Sequence, residues 1–387
     1  MDSPNRPRNF EVDQLRGAAA LLVLFYHSVH TGLSAVGASG WPRAHYGIDA
    51  LLFEGHTGVA LFMVLSGYIL ATGTFDREID YWKFLRNRVL RIFPLMFVAL
   101  VFAMYSSTDL DLGKIIAPFI LLANTTASFS DPAGLAGTVW TAAVEFQFYL
   151  VAPFVFMFVG RNGLKYLLGT VLLFWLLRII VLLPHSNEPL ELYKISYFTI
   201  VGRINQFLTG IGLAYAFHTG ILKLGEHRGR AAFGLAICGL IVLAAMAALN
   251  HSGGITAWHS WRIVYPELEG LLWTAFLATY LISRPLENRY LGNWFYRVGQ
   301  ISFSMYILHY AIQREWWTVL YPKFFNGWIT HGAEVLLVTM VLAAMVMALS
   351  HLSYICIEKP FQDMRGGYFK PNRPSDAASW SQGHPSM

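Results

Sequence analysis

Arg16 and His27 stand eleven positions apart in the first long apolar run of the chain. At 100° per residue that spacing is three helical turns and about 20°, so the two share one face, separated by roughly 16 Å along the axis. A deep imidazole with a guanidinium at the entrance suits a long anionic cofactor: the guanidinium grips phosphate and the imidazole takes a proton. The same pattern equally describes a snorkelling arginine above a hydrogen-bonded core histidine. Arg88 and Arg91, three apart on one face with Arg86 just before them, can hold a diphosphate, although arginines flanking a span on its cytoplasmic side are the commoner origin of such a pair. Glu145 sits in a hydrophobic run with Trp140, Gln147 and Tyr149 as polar or amphipathic company. It is a substrate contact or an ion-pair partner of Arg178 or Arg203. His309 reads as a core histidine bonded to a hydroxyl ahead of a catalytic one.

The elements that position these residues are membrane helices. Of 387 residues, 55% are hydrophobic and 13% charged, against about 25% charged in soluble domains, which excludes a water-soluble single domain. An aromatic share of 15% excludes a disordered chain, and two cysteines exclude a disulfide scaffold and a four-thiolate zinc site. The net charge of +5 is not gathered into the basic face that nucleic acid requires. The fold expected is all-α, polytopic and without a soluble domain. Ten spans are expected near residues 15–33, 57–75, 89–106, 139–159, 164–184, 198–218, 231–249, 264–283, 301–321 and 332–357. The apolar stretch 115–123 is too short to cross and reads as re-entrant or interfacial.

Of the 28 basic residues, five arginines fall in these spans (Arg16, Arg91, Arg178, Arg203 and Arg314), and the rest divide 18 to one side and 5 to the other. That asymmetry places both termini in the cytoplasm of a bacterial inner membrane. The first span carries Arg16 and His27 with no small-residue cleavage site promptly after it, unlike a removable signal. Residues 1–14 are then a cytoplasmic segment, 15–360 the membrane domain, and 361–387, rich in Gly, Pro and Ser, a disordered cytoplasmic tail.

In order along the chain, these segments resemble the acyltransferase family 3 integral membrane proteins, which move acyl groups onto sugars and other hydroxyl acceptors. Arg16 to His27 resembles the family's basic residue, ten residues, then histidine. Residues 58–68 (GVALFMVLSGY) resemble its second-span signature, and 88–94 (RVLRIFP) its Arg-x-x-Arg segment. Residues 139–149 (VWTAAVEFQFY), 203–210, 304–309 (SMYILH) and 357–360 (IEKP) resemble its later landmarks. Three positions depart from the pattern: Ala60 replaces a common Asp, Phe146 a common second Glu, and Gln206 a frequent Glu.

The resemblance implies an acyltransferase. Its donor would be acyl-CoA, acetyl-CoA foremost, with phosphates near Arg16, Arg88 and Arg91. His27 would take the proton of the acceptor hydroxyl, or carry the acyl group itself, and Glu145 would orient or balance the imidazole. Trp140, Tyr149, Arg203 and His309 would contact the acceptor, a glycan or other small hydroxyl-bearing metabolite. No metal is implied, the lipid bilayer is the surrounding partner, and an oligomer is compatible with the sequence. A secondary transporter also buries charges at the midplane, but usually shows a two-half repeat that is not seen here; a scaffold leaves Arg16 and His27 without a reason to share a face.

Overall fold

The computed structural model describes residue 5 and residues 9–38, 40–45, 47–106, 136–185, 188–257, 259–329 and 332–371. Among them there is no strand, only a single bridge between Ile79 and Phe369. The helices are α1 (Phe10–Ala35), α2 (Gly47–Phe53), α3 (Thr57–Ala71), α4 (Tyr81–Ser106), α5 (Ala136–Asn162), α6 (Leu164–Leu182), α7 (Pro189–Phe198) and α8 (Ile200–His218). They continue as α9 (Arg228–His251), α10 (Tyr265–Ser283), α11 (Tyr290–Gln300), α12 (Ser302–Glu315), α13 (Gly332–Ser353) and α14 (Lys359–Asp363). Wider π-helical turns follow α12 at Trp316–Phe325 and α13 at Tyr354–Glu358.

Five stretches are long and apolar enough to cross a membrane: Phe10–Ala35, Thr138–Asn162, Leu164–His185, Arg228–His251 and Gly332–Asp363. A sixth candidate is α2 with α3, bent by 77° at the break between them. The expected spans near 89–106, 198–218, 264–283 and 301–321 are helical without meeting that standard. Their sequences are diluted by polar residues that turn inward: Arg88 on α4, Arg203 and Gln206 on α8, Glu269 on α10 and His309 on α12 are all buried. The stretch 115–123 and most of the loop before α5 lie outside the described residues.

Burial sorts the helices by position. Thr138–Asn162 is 56% buried within the protein, whereas Leu164–His185 and Arg228–His251 are each 17% buried, so α5 is central and α6 and α9 are peripheral. The outward side chains of α6 and α9, among them Leu168, Leu172, Ile180, Phe233 and Leu240, form an exposed apolar surface of the kind that suits hydrocarbon. Small residues set the central crossings. A methyl group on Gly67 would collide with the Phe207 carbonyl, and one on Gly210 with the Val64 carbonyl, so α3 and α8 touch backbone to backbone. Gly17 and Gly299 do the same for α1 and α11. These contacts fix Ser66 and Arg16, the neighbours of two of those glycines.

Of the expected tail, residues 364–371 are described beyond α14 and are bonded to the rest of the protein; 372–387 lie outside the described residues. Gly366 and Tyr368 bond to Asn5 and Asn87, and Tyr368 is buried against Phe84. Two asparagines and an aromatic pocket thus satisfy a backbone that its Gly content alone would leave free.

Candidate functional site

A cavity of about 300 Å³ opens between α1, α3, α4, α5, α12 and the segment after α13. Arg16, Arg88, Arg91, Glu145 and Tyr149 all line it, so residues predicted from three separate stretches of sequence converge. Glu145 accepts hydrogen bonds from the Ser66 hydroxyl at 2.9 Å and from the Tyr149 hydroxyl. It bonds to neither Arg178 nor Arg203, the partners that the sequence allowed, and His27 is not among its partners either. Tyr149 also lies under the Arg88 guanidinium, 5.5 Å from its ring centre, with Phe84 at 5.2 Å on the same guanidinium. Arg16 has a carboxylate nearby, Asp13 at 3.6 Å. Arg88 and Arg91 have none in ion-pair range among the described residues, and the Nε of each is buried without a partner. Arg88 is buried and Arg91 half-buried, and cations so placed without matched anions are costly, a cost that an anionic guest would remove.

His27 lies deeper on α1 and does not line that cavity. Its ring centre is 5.2 Å from that of His309 and 4.9 Å from those of Tyr26 and Tyr310. Among the described residues His27 makes no hydrogen bond. His309 bonds to the backbone carbonyls of Met305 and Tyr306 through Nδ1, at 3.0 and 2.8 Å, rather than to a hydroxyl. A carbonyl only accepts, so Nδ1 carries the proton and the neutral ring presents its lone pair at Nε2, which is buried without a partner. Tyr306 joins the two zones: it lines the cavity, and its ring centre is 5.7 Å from that of His309.

Trp140 and Arg203 belong to a different cluster. The Arg203 guanidinium lies over Tyr197 at 4.2 Å and over Trp140 at 5.8 Å. It donates to the Tyr197 carbonyl, to Gln206 and to Glu269, while Gln206 and Tyr265 also donate to Glu269. Alongside, Arg178 holds Glu267 at 2.6 Å. The hollow beside Arg203 measures about 30 Å³, too small for a sugar.

The comparisons with known proteins bear on what this assembly is. Residues 9–350 match the family of the acyltransferase domain, acyltransferase 3. The chain belongs to acyltransferase family 3. It is an acyltransferase with the membrane character of that family. The acyltransferase MdmB of Streptomyces mycarofaciens is 24% identical over 389 residues, covering 91% of each chain. The peptidoglycan O-acetyltransferase OatA of Listeria monocytogenes is 26% identical over 335 residues, 78% of this chain and 49% of its own length. This chain therefore spans about half of the Listeria relative. Nodulation protein 10 of Rhizobium leguminosarum is 29% identical over 169 residues, 36% of this chain and 42% of the relative. No solved structure matches.

Two departures from the family 3 pattern acquire a setting. Gln206 takes its place in the Arg203–Glu269 network, where a neutral amide donates to the carboxylate that a Glu would repel. Phe146 packs edge-on against Phe93, 5.4 Å between centres, where a second carboxylate would be buried against an aromatic ring. Ala60 is wholly buried.

Sequence reasoning missed several polar residues of this acyltransferase. Glu358, Gln362 and Arg365 line the cavity. The motif at 357–360 signalled the first, and nothing signalled the other two. Glu54, fully buried at the break between α2 and α3, accepts from Trp41 at 2.6 Å and Asn250 at 2.9 Å and lies 3.2 Å from His56. A Glu-Gly-His step between two apolar runs was the available signal. Among the described residues no group of three His, Cys, Asp or Glu side chains is placed to hold a metal ion.

Proposed function

We propose that this protein transfers an acyl group, acetyl foremost, from acyl-CoA to a hydroxyl of a carbohydrate or other small acceptor. The observation that carries the reading is the cavity that gathers Arg16, Arg88, Arg91 and Glu145 and reaches, through Tyr306, the pair His27 and His309. Arg88 and Arg91 hold the donor diphosphate with Arg16 beside them, and the pantetheine arm runs inward along Phe62 and Tyr306. The free imidazole of His27 accepts the proton of the acceptor hydroxyl as its oxygen attacks the thioester carbonyl. The C–O bond forms, the C–S bond breaks, and the thiolate leaves along the entry path and recovers a proton. The His309 Nε2 lone pair accepts from a second hydroxyl of the acceptor and so keeps the reacting one in line. Glu145, bonded to Ser66 and Tyr149, keeps Tyr149 against Arg88 and so shapes the donor pocket rather than the imidazole. Trp140 and Arg203 support the acceptor side from a distance, as a rigid paired cluster.

The topology that serves this chemistry is ten spans in the cell membrane, with 1–14 and 361–387 cytoplasmic and 15–360 forming the membrane domain. The unequal distribution of basic residues supports it. A cytoplasmic donor and an acceptor from the other face then meet near His27. That the Listeria relative is named for peptidoglycan O-acetylation favours a glycan hydroxyl as acceptor. Purified protein given acetyl-CoA should release free coenzyme A, faster with a glycan acceptor and about 10²- to 10⁴-fold more slowly in His27→Ala. Coenzyme A release that His27→Ala leaves intact would refute the proposal.

A further inference from the structure

The cavity has a wall that the matched family segment does not supply. The match ends at residue 350, yet Glu358, Gln362 and Arg365 line the cavity. The π-helical turn at Tyr354–Glu358 and α14 bring the chain back under α4, and the stretch after α14 is tied down as a strap. The Gly366 carbonyl accepts from Asn87 at 2.7 Å and from Asn5 at 3.1 Å, and the Gly366 amide donates to Asn87 at 3.2 Å. The Tyr368 amide donates to Asn5 at 2.7 Å, the Asp80 amide to the Tyr368 carbonyl at 2.8 Å, and the Lys370 amide to the Glu78 carbonyl at 2.9 Å. Such anchoring of a Gly-rich stretch fixes the direction of the residue before it, which is Arg365.

Arg365 donates only to neutral acceptors, the Gln362 carbonyl at 2.9 Å and the Gln362 side chain at 3.1 Å. The nearest acid on the strap, Asp363, is held by Lys359 at 3.3 Å. Burial first, and then Arg91 and Arg88, hold the Arg365 guanidinium down to about 10 from its ordinary value, which reports three like charges crowded around one space. None of the three has a carboxylate in ion-pair range among the described residues. Two guanidiniums match the two charges of a diphosphate. The third, on a separate element, calls for a separate anion.

We infer that Arg365 binds a phosphomonoester of the donor distinct from the diphosphate held by Arg88 and Arg91, so that the site selects donors carrying a ribose 3′-phosphate. This rests on the acyl-CoA reading above. A phosphomonoester carries about −1.5 to −2 charges at neutral pH and three acceptor oxygens, which suits the free edge of one arginine.

Equilibrium binding of coenzyme A and 3′-dephospho-coenzyme A to the full-length protein in detergent tests it, with wild type, Arg365→Gln and Arg365→Lys. Wild type should bind coenzyme A about 10- to 100-fold more tightly than the dephospho form. Arg365→Gln should erase that preference while leaving the dephospho affinity unchanged, and Arg365→Lys, which keeps the charge and the fold, should retain part of it. Wild type binding both compounds equally, or Arg365→Gln weakening both equally or neither, overturns the inference and leaves the acyl-CoA reading standing. Wild type binding neither compound overturns both.

Discussion

Two groups of buried and half-buried arginines differ in how their charge is met. Arg178 and Arg203 are each matched by a glutamate, Glu267 and Glu269, inside a network that also engages Asn205, Gln206 and Tyr265. Arg88, Arg91 and Arg365 line one cavity that Asp13, Glu145 and Glu358 also line, yet among the described residues none of the three has a carboxylate in ion-pair range. Placing a cation in a low-dielectric interior costs several kcal/mol unless an anion compensates it. The first group has its anions in the chain and holds helices α6, α8 and α10 together. The second has no ion-pair partner among the described residues and faces a cavity, the setting that the proposed anionic donor fits. A buried arginine by itself says little about function; the location of its counter-charge says much more.

That contrast can be broken at four points. The largest expected effect on stability is at Arg178: Arg178→Ala leaves the half-buried Glu267 without its cation and should cost about 3 kcal/mol, read as a lowered unfolding midpoint in detergent, whereas Arg178→Met with Glu267→Leu should recover most of the loss. Equal losses in the single and double variants would mean that the pairing is not what the site is for. His27→Ala should lower acyl transfer by about 10²- to 10⁴-fold with an unchanged midpoint. A variant that keeps more than half of the wild-type turnover would remove His27 from the chemistry. Arg91→Ala should raise the Michaelis constant for acetyl-CoA by an amount corresponding to about 1.5–3 kcal/mol without altering the midpoint. If turnover rather than the Michaelis constant falls, the guanidinium acts in the chemical step instead. The smallest effect is expected at the surface: Arg228 meets Glu287 at 2.9 Å, both partly exposed, and Arg228→Ala should leave midpoint and turnover where they were.

Much of the cavity was legible in the sequence because its residues sit in motifs with helical spacing. Arg16, Arg88, Arg91, Glu145 and Tyr149 line one cavity. What failed to read is whatever depends on contacts between distant stretches. Ser66 reaches Glu145 across 79 positions, and the Glu145 pairing with Arg178 or Arg203 that spacing permitted does not form. Arg203 and Trp140 face their own cluster because Tyr197, on the short α7, lies between them and supplies the ring that both use. Glu54 and His56 were lost in a three-residue break that breaks no hydropathy rule, and the 77° bend there has no counterpart in composition. The strap behind Arg365 looked like a tail because glycine content reports local freedom, while its order comes from Asn5 and Asn87, far away in sequence. For the fold, the expected spans are helical among the described residues, while α8 and α10, which turn polar residues inward, fall short of the length and apolarity that a crossing helix shows.

The two kinds of arginine are separated most directly by equilibrium binding of acetyl-CoA to three proteins in detergent: wild type, Arg88→Ala with Arg91→Ala, and Arg178→Met with Glu267→Leu. Loss of two charge-assisted contacts should weaken binding by at least about 100-fold in the cavity variant while its unfolding midpoint holds, and the paired variant should bind as wild type does. Undiminished binding by the cavity variant, or a loss confined to the Arg178 and Glu267 variant, would contradict the assignment of the unpaired arginines to the donor.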